Sequence, residues 1–440
     1  MAAPRILVVP GGTSISAVAL ANASIHKLVE LHEERSADPN HPAPHTVVFL
    51  RDPASVPPAT LRGSSATPEE AFPPEDYPGL ADRIAGDPHF FDGVDLVIAT
   101  SGSSAGKPRL VGLSIEALVA SAKATDLVLE GPGRWILALP THHIAGAMIL
   151  VRAAVAETNP QVVDTTDGFD PRDLIPAIQG VTQDEMPGYL SLVPTQLVQC
   201  LDADDEVMDA LRSLSAILVG GAAISQNLLQ RARDAGLKVR TTYGMTETSG
   251  GCVYDGEPMP GVTVRAVDWD GRTRLAFNGP TLMTCYLDEE SPFFEEGGHR
   301  WLLSGDLGII RASGKVEVSG RADDVIISGG LSIAPAPLRR AARSYEGISD
   351  AWILGTPDAK WGQIVTALVV PHQMPQDSFE MARLGSAVRE HAAARIGRAQ
   401  APRRVVAVEA LPYLGYDKID RGAAAEAASA TVGTVREWVR

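Results

Sequence analysis

The chain has 440 residues, is 45% hydrophobic and carries a formal charge of −16, which suits a folded protein of two or three domains and excludes a disordered one. The acidic balance argues against a general nucleic-acid or membrane-surface binder, because such proteins concentrate Lys and Arg to meet phosphate. No uninterrupted apolar run reaches the roughly 18 to 20 residues of a membrane span, and the opening "MAAPRILVVPGG" lacks a basic flank and a signal-like core, so a cytoplasmic protein is expected.

In chain order, "RILVVPGGTS" and "HTVVFLRDP" read as short strands stopped by Gly or Pro, with the helical pattern "SAVALANASIHKLVELHEE" between them. This predicts a βαβ-like opening. Gly11 and Gly12 are turn residues, since G-x-G-x-x-G is absent. Residues 52 to 90, rich in Pro, Ala, Asp and Glu, are expected to form a surface connection. From "DLVIATSG" onward, strand-like runs ("WILALP", "YLSLVP", "SAILVGG", "LKVRTTYG") alternate with helix-like ones, which implies parallel strands covered by helices. After residue 260 the signals become hairpins, with turns at "DWDG" and "ASGK". The last 115 residues or so, a mixture of strand and helix patterns, are enough for a small α+β domain. Cys200, Cys252 and Cys285 are widely separated and form no CxxC or Cys/His cluster, which argues against disulfides and structural zinc.

The first segment that carries chemistry is "IATSGSSAGKPRLVGLS", residues 98 to 114. A Walker A loop needs G-x-x-x-x-G-K-[ST]. Here Gly102 and Gly106 enclose only three residues and Pro108 follows Lys107, so that reading fails. What remains is a loop whose Thr100, Ser101, Ser103 and Ser104 hydroxyls and glycine amides suit a triphosphate, helped by Lys107 and Arg109. A solvated Ser/Gly loop has the same composition, and the segment alone does not separate the two readings.

The segment resembles the T-S-G-S-T-G-x-P-K phosphate loop of the acyl-adenylate-forming superfamily. It departs by one extra residue, placed at Ala105, and by Arg109 where the family usually has Lys. Further segments follow in the family's order: "LVGGAAIS" (218 to 225) resembles its adenine-contacting G-G-A segment, and "TYGMTET" (242 to 248) its Y-G-x-T-E motif. "SGDLG" (304 to 308) is similar to the ribose motif, "GRADDVIISGG" (320 to 330) to the hinge, and "LPYLGYDKIDR" (411 to 421) to the terminal L-P-x-T-x-x-G-K-x-x-R motif.

The resemblance implies an α/β fold: a large N-terminal AMP-binding domain over 1–321, with parallel sheets flanked by helices plus a β subdomain, and a small mobile α+β lid over 322–440. It implies ATP, Mg2+ and CoA as co-substrates and cofactor. Thr100, Ser101, Gly102, Ser103, Ser104, Gly106 and Lys107 would hold the phosphates, Gly220, Gly221, Ala222, Tyr243 and Gly244 the adenine side, and Asp306 and Arg321 the ribose. Glu247 would bind magnesium, as a hard cation wants carboxylate oxygen, and Thr246 the α-phosphate. Lys418 would be the catalytic cation bridging the attacking carboxylate and the α-phosphate, with Asp417 where the family commonly has Gly. Asp323 matches the hinge, and Gly329 and Gly330 would admit the pantetheine arm of CoA.

"LPTHHIAGAMILVRAAV" (139 to 155) and "TYGMTETSGGCVYDGEPMPGV" are similar to the o-succinylbenzoate:CoA ligase branch of that family, which serves menaquinone biosynthesis. By this resemblance His143 sits at the acyl pocket and Ser249 and Gly250 line it, with Arg152 a candidate for the substrate's free carboxylate. The expected activity is that of an AMP-forming acid–thiol ligase acting on small molecules. Ligases for another aryl or fatty acid, or for a carrier-protein thiol, share the core motifs, and so does a non-catalytic nucleotide-binding relative. Composition is compatible with a monomer or a homodimer.

Overall fold

A computed structural model describes residues 4–38, 45–55, 65–100, 108–414 and 418–440. It divides into two compact units, one of residues 1–264, 277–303 and 312–316 and one of residues 265–276, 304–311 and 317–440.

The first unit opens with strands β1 (Arg5–Pro10) and β2 (Thr46–Arg51), paired in parallel, and the helix Ile15–Ala37 makes the crossover. Ser14 caps that helix by accepting from the Ala17 N–H. Its buried residues Ala17, Val18, Ala21, Ile25, Leu28 and Val29 recur at helical spacing and give one apolar face. Strand β3 (Leu96–Ala99) extends the parallel set, and β4 (Leu110–Leu113) then returns antiparallel to it. That reversal departs from the all-parallel expectation, because only a short loop separates the two strands and a parallel crossover needs a dozen residues or more.

Residues 52 to 90 are also more than a surface connection. They include the short helices Pro68–Ala71 and Leu80–Gly86, the first closed by a reciprocal cap between Thr67 and Glu70. Phe72 stacks on Phe49 at 5.2 Å and is fully buried, a contribution of about 2 to 3 kcal/mol. The Pro-rich and acidic composition concealed a few apolar anchors with no regular period.

The second sheet of this unit comprises β5 (Arg134–Leu137), β6 (Gln161–Val162), β7 (Gly188–Leu192), β8 (Ala216–Val219), β9 (Val239–Met245), β10 (Gly250–Tyr254) and β11 (Glu257–Pro258). The order is β11-β10-β9-β8-β7-β5-β6. The five strands from β5 to β9 are parallel, and β10 and β11 add an antiparallel edge. Helices Leu174–Val181, Pro194–Leu201 and Asp205–Ser213 bury Leu174, Ile178, Leu197 and Leu211 in a core with Ile136, Leu190 and Ile217.

Residues 263–321 are mainly strand, as the hairpin signals predict: β12 (Thr263–Trp269), β13 (Arg272–Asn278), β14 (Cys285–Tyr286), β15 (Phe293–Glu296), β16 (His299–Ile310) and β17 (Val316–Arg321). At "DWDG", Asp270 and Gly271 both take positive φ, 54° and 70°, the geometry of a tight I′-type hairpin turn. Strand β14 pairs with β4 and completes the first sheet.

The second unit contains β18 (Ile326–Ser328), β19 (Leu331–Ile333), β20 (Ile348–Asp358), β21 (Gly362–Pro371), β22 (Arg404–Ala407), the hairpin β23 (Tyr413–Leu414) and β24 (Lys418–Ile419), and β25 (Glu437–Val439). Strands β20 and β21 form a long antiparallel hairpin, and β22 joins β21 in parallel. Helices Pro335–Arg343 and Ser378–Ile396 cover the sheet over a core that includes Leu338, Ile353, Val369, Val388 and Val405. This is the mixed α+β arrangement expected.

Candidate active site

In the first unit the motifs gather at one edge. Residues 142–143 follow β5, Gly220–Ala222 follow β8, and Tyr243–Glu247 end β9. Because these strands are parallel, their carboxyl ends face the same way, which is where open α/β sheets bind ligands. Close backbone packing fixes the segments. A Cβ on Gly220 would lie 2.3 Å from the Thr242 hydroxyl, and one on Gly244 only 2.0 Å from the Gly250 carbonyl oxygen. The hairpin from β9 to β10 closes through Thr248, whose hydroxyl accepts from the Met245 N–H at 3.0 Å and donates to the Gly250 carbonyl at 2.8 Å. Glu247 lies at the centre of the 3-10 turn Thr246–Thr248 within it.

Thr100 and Arg109 pair at the mouth of the β3/β4 hairpin. The Thr100 N–H donates to the Arg109 carbonyl at 2.8 Å, and the Arg109 N–H to the Thr100 hydroxyl at 3.0 Å. Ser101, Gly102, Ser103, Ser104, Ala105, Gly106 and Lys107 lie outside the described residues, as does Asp417. The Arg109 guanidinium, which the sequence offered to phosphate, forms an ion pair with Glu289 and lies 5.3 Å from the centre of the Tyr286 ring. The Tyr286 hydroxyl in turn donates to Glu247 Oε1 at 2.7 Å. No sequence motif signalled Tyr286.

Of the acyl-pocket candidates, His143 is the residue before the helix Ile144–Val155, at its N-cap. A Cβ on Gly250 would meet Met148 at 3.2 Å and Ile144 at 3.8 Å, so Gly250 packs on the first turns of that helix. Ser249 is fully buried in the left-handed region, φ 52°, and its carbonyl accepts from the Ser121 hydroxyl at 2.9 Å. Arg152 does not join this group. It lies about 13 Å further along the helix from His143 at about 1.5 Å per residue, buried with its guanidinium 4.8 Å from the Trp135 ring centre.

In the second unit, Asp306 and Arg321 come together although they are distant in sequence: Arg321 Nε is 3.5 Å from Asp306 Oδ1, and Arg321 Nη2 is 3.9 Å from Asp323 Oδ2. Gly305 makes room for this, since a Cβ there would lie 2.8 Å from Arg321 Nη2. Lys418 lies on β24, with Leu414 opposite on β23. Two contacts hold that hairpin within the unit. Arg421 grips Asp324 with two donors, at 2.7 and 3.1 Å, while burial pushes the Asp324 carboxyl above its ordinary pKa against the pull of Arg421 and Arg321. The Tyr413 hydroxyl donates to Asp350 and accepts from Arg339 at 3.1 Å, and burial with the Asp350 bond pushes its pKa up to about 12. Gly329 has φ 56° and Gly330 φ 81°. A Cβ on Gly329 would lie 2.4 Å from the Trp361 ring, so that ring and the positive φ account for the glycine.

The fold is that of the adenylate-forming enzymes. It superposes with a TM-score of 0.67 on the o-succinylbenzoate CoA synthetase of Bacillus subtilis in complex with its acyl-adenylate intermediate, at 21% identity over 95% of each chain. An ATP-bound MatB from Rhodopseudomonas palustris gives 0.69 at 19% identity, over 97% of this chain and 89% of that one. The chain belongs to the AMP-binding enzyme family: residues 7–287 match the family's main domain and residues 340–415 the AMP-binding enzyme C-terminal domain. A probable 2-succinylbenzoate–CoA ligase from Mycobacterium tuberculosis is 39% identical over 337 residues, 76% of this chain and 84% of that protein. The 2-succinylbenzoate–CoA ligase of Enterococcus faecalis is 26% identical over 358 residues, 76% and 69% of the two chains.

Proposed function

We propose that this enzyme is a cytoplasmic 2-succinylbenzoate–CoA ligase of menaquinone biosynthesis, using ATP, Mg2+ and CoA and working as a monomer or homodimer. The observation that carries the reading is the 39% identity to the M. tuberculosis ligase over 84% of its length. In the first half-reaction an oxygen of the succinyl carboxylate attacks the α-phosphorus of ATP; the O–P bond forms as the bond to pyrophosphate breaks. In the second, the CoA thiol gives up its proton and its sulfur attacks the acyl carbonyl, so that a thioester forms and AMP leaves.

Such chemistry is mainly positioning and charge neutralisation. Glu247 is the carboxylate that suits magnesium, which on nucleotides takes one or two carboxylates and completes its shell with phosphate and water. Bound there, the metal neutralises phosphate charge. Thr246 hydrogen-bonds the α-phosphate, the loop from Thr100 to Lys107 holds the outer phosphates, and Gly220 to Ala222 with Tyr243 and Gly244 border the adenine. Asp306 accepts from the ribose hydroxyls and Arg321 donates to the sugar. His143, Ser249 and Gly250 border the acid. Lys418 bridges the attacking carboxylate and the α-phosphate, Asp323 is the hinge of the lid, whose limits are 322–440, and Gly329 and Gly330 admit pantetheine.

The test is pyrophosphate release from ATP and Mg2+ with a panel of acids headed by 2-succinylbenzoate, with and without CoA. Release that depends on this acid, with thioester appearing only when CoA is added, is the expected result. Release with a different acid would keep the reaction and overturn the substrate. Lys418→Ala should abolish adenylate formation while ATP still binds, and near-normal adenylation in that variant would remove Lys418 from the mechanism.

A further inference from the structure

Tyr286 lies 39 residues from Glu247 in sequence and outside the segments on which the sequence reading rests, yet its surroundings are built around that carboxylate. It stands on β14 opposite Val111 of β4, is 7% exposed, and its N–H donates to the Ser291 hydroxyl at 2.8 Å. Backbone and packing therefore fix where its hydroxyl points, and it points at Glu247 Oε1, 2.7 Å away. The same segment holds Glu247 from behind, for the Met283 N–H donates to the Glu247 carbonyl at 2.9 Å. Further along, Asp288 accepts from the Leu110 N–H at 3.1 Å, at the foot of the phosphate-loop hairpin.

Only Oε1 of Glu247 accepts a side-chain hydrogen bond among the described residues. Oε2 is the oxygen left for a cation. The chain's departure from the family pattern at position 109 fits the same arrangement. A planar guanidinium covers an aromatic face better than an ammonium, and Arg109 lies over the Tyr286 ring while Glu289 balances its charge.

We propose that Tyr286 is a positioning residue for the metal-binding carboxylate: it occupies Oε1, fixes the rotamer of Glu247 and presents Oε2 to magnesium, with Arg109 and Glu289 bracing the ring. The proposal rests on the ATP- and magnesium-dependent reading of Glu247 given above. Partners that orient a metal ligand typically govern 10- to 100-fold in metal affinity, and a hydrogen bond to a charged acceptor is stronger than a neutral one.

The discriminating variant is Tyr286→Phe, which removes the hydroxyl and keeps the ring that Arg109 covers. Mn2+ binding in the presence of ATP, followed by electron paramagnetic resonance, needs neither acid nor turnover. It should weaken roughly tenfold, and excess Mg2+ should restore much of the lost pyrophosphate-release rate. Unchanged Mn2+ affinity together with an unchanged Mg2+ requirement would overturn the proposal. If Tyr286→Phe folds poorly, Arg109→Lys carries the test: a smaller loss of Mn2+ affinity in the same direction supports the bracing role, and wild-type affinity overturns it. Failure of the wild-type chain to use 2-succinylbenzoate would sink the substrate reading alone, because the Mn2+ comparison still decides Tyr286. Failure of the wild type to bind Mn2+ with ATP would sink both.

Discussion

The two units hold their candidate site residues by different means. In the first, Gly220, Gly244 and the Thr246–Thr248 turn are located by close contact and by glycines with no room for a Cβ, and Gly250 by a positive φ against Met148. In the second, Asp306, Arg321 and Asp323 form a chain of charges, and the hairpin bearing Lys418 is tied down by Arg421 on Asp324 and by Tyr413 on Asp350. Steric contact acts only at short range and ignores ionic strength, whereas partly exposed ion pairs are screened by salt. The first unit should therefore behave as a rigid frame whose failure is structural. The second should lose function by degrees while staying folded.

The strongest way to break the contrast is Gly244→Ala. A Cβ 2.0 Å from the Gly250 carbonyl oxygen cannot be relieved by a side-chain rotation, since both parties are backbone, and overpacking of this kind costs on the order of 3 kcal/mol or more. Urea unfolding should begin at clearly lower denaturant, and pyrophosphate release should be lost with it. A variant with wild-type stability and activity would mean that the β9/β10 hairpin is not the rigid element described.

A smaller effect, of a different kind, is expected from Arg421→Ala. Its side chain is 42% exposed, so the pair contributes about 1 kcal/mol or less to stability, and unfolding should hardly change. If the Arg421–Asp324 grip serves to place Lys418, adenylate formation should fall roughly 10- to 100-fold, the usual consequence of a misplaced catalytic group. Thioester formation from preformed acyl-adenylate should be spared. Arg421→Lys keeps the charge but not the two-point grip, and its wild-type rate should be approached only at low salt. Equal losses in both half-reactions would show that Arg421 maintains the domain rather than the lysine.

How much of this was legible in the sequence depended on range. The βαβ opening and the "DWDG" turn are local patterns, and each forms the element its spacing implied. The Asp306–Arg321 pair was legible only because both residues sit in motifs. Tyr286 was not, because its partner is distant in sequence and an aromatic on a short strand reads as core. Arg109, offered to phosphate by its place in the loop, also has Glu289 and Tyr286 beside it, contacts that no local pattern announces. The burial of Arg152 against Trp135 was likewise not legible, because that contact joins a helix to a strand. Residues 68 to 91 were undervalued because a few aromatic anchors in a Pro-rich stretch produce no periodic signal.

The smallest effect separates acid from salt as the weakness of the first unit. His142 packs against Gly11, where a Cβ would lie 2.5 Å from its own, and its ring centre is 4.5 Å from that of His143. Its Nδ1 is buried without a hydrogen-bond partner among the described residues. Burial holds its pKa below the ordinary imidazole value, against the opposing pull of Asp52. A depressed histidine pKa means that the folded state binds the proton less readily than the unfolded one. The stabilisation this group provides is thus fully present above the ordinary value near 6.5 and is lost as pH falls through the depressed one. Urea unfolding of the wild type and of His142→Gln, compared from about pH 7.5 down to about pH 5, should show the variant losing less stability on acidification. Salt should leave that difference in place. A gap between the two proteins that stays constant across the range would mean that His142 does not titrate in this window, and the first unit would then owe nothing of its acid sensitivity to this ring.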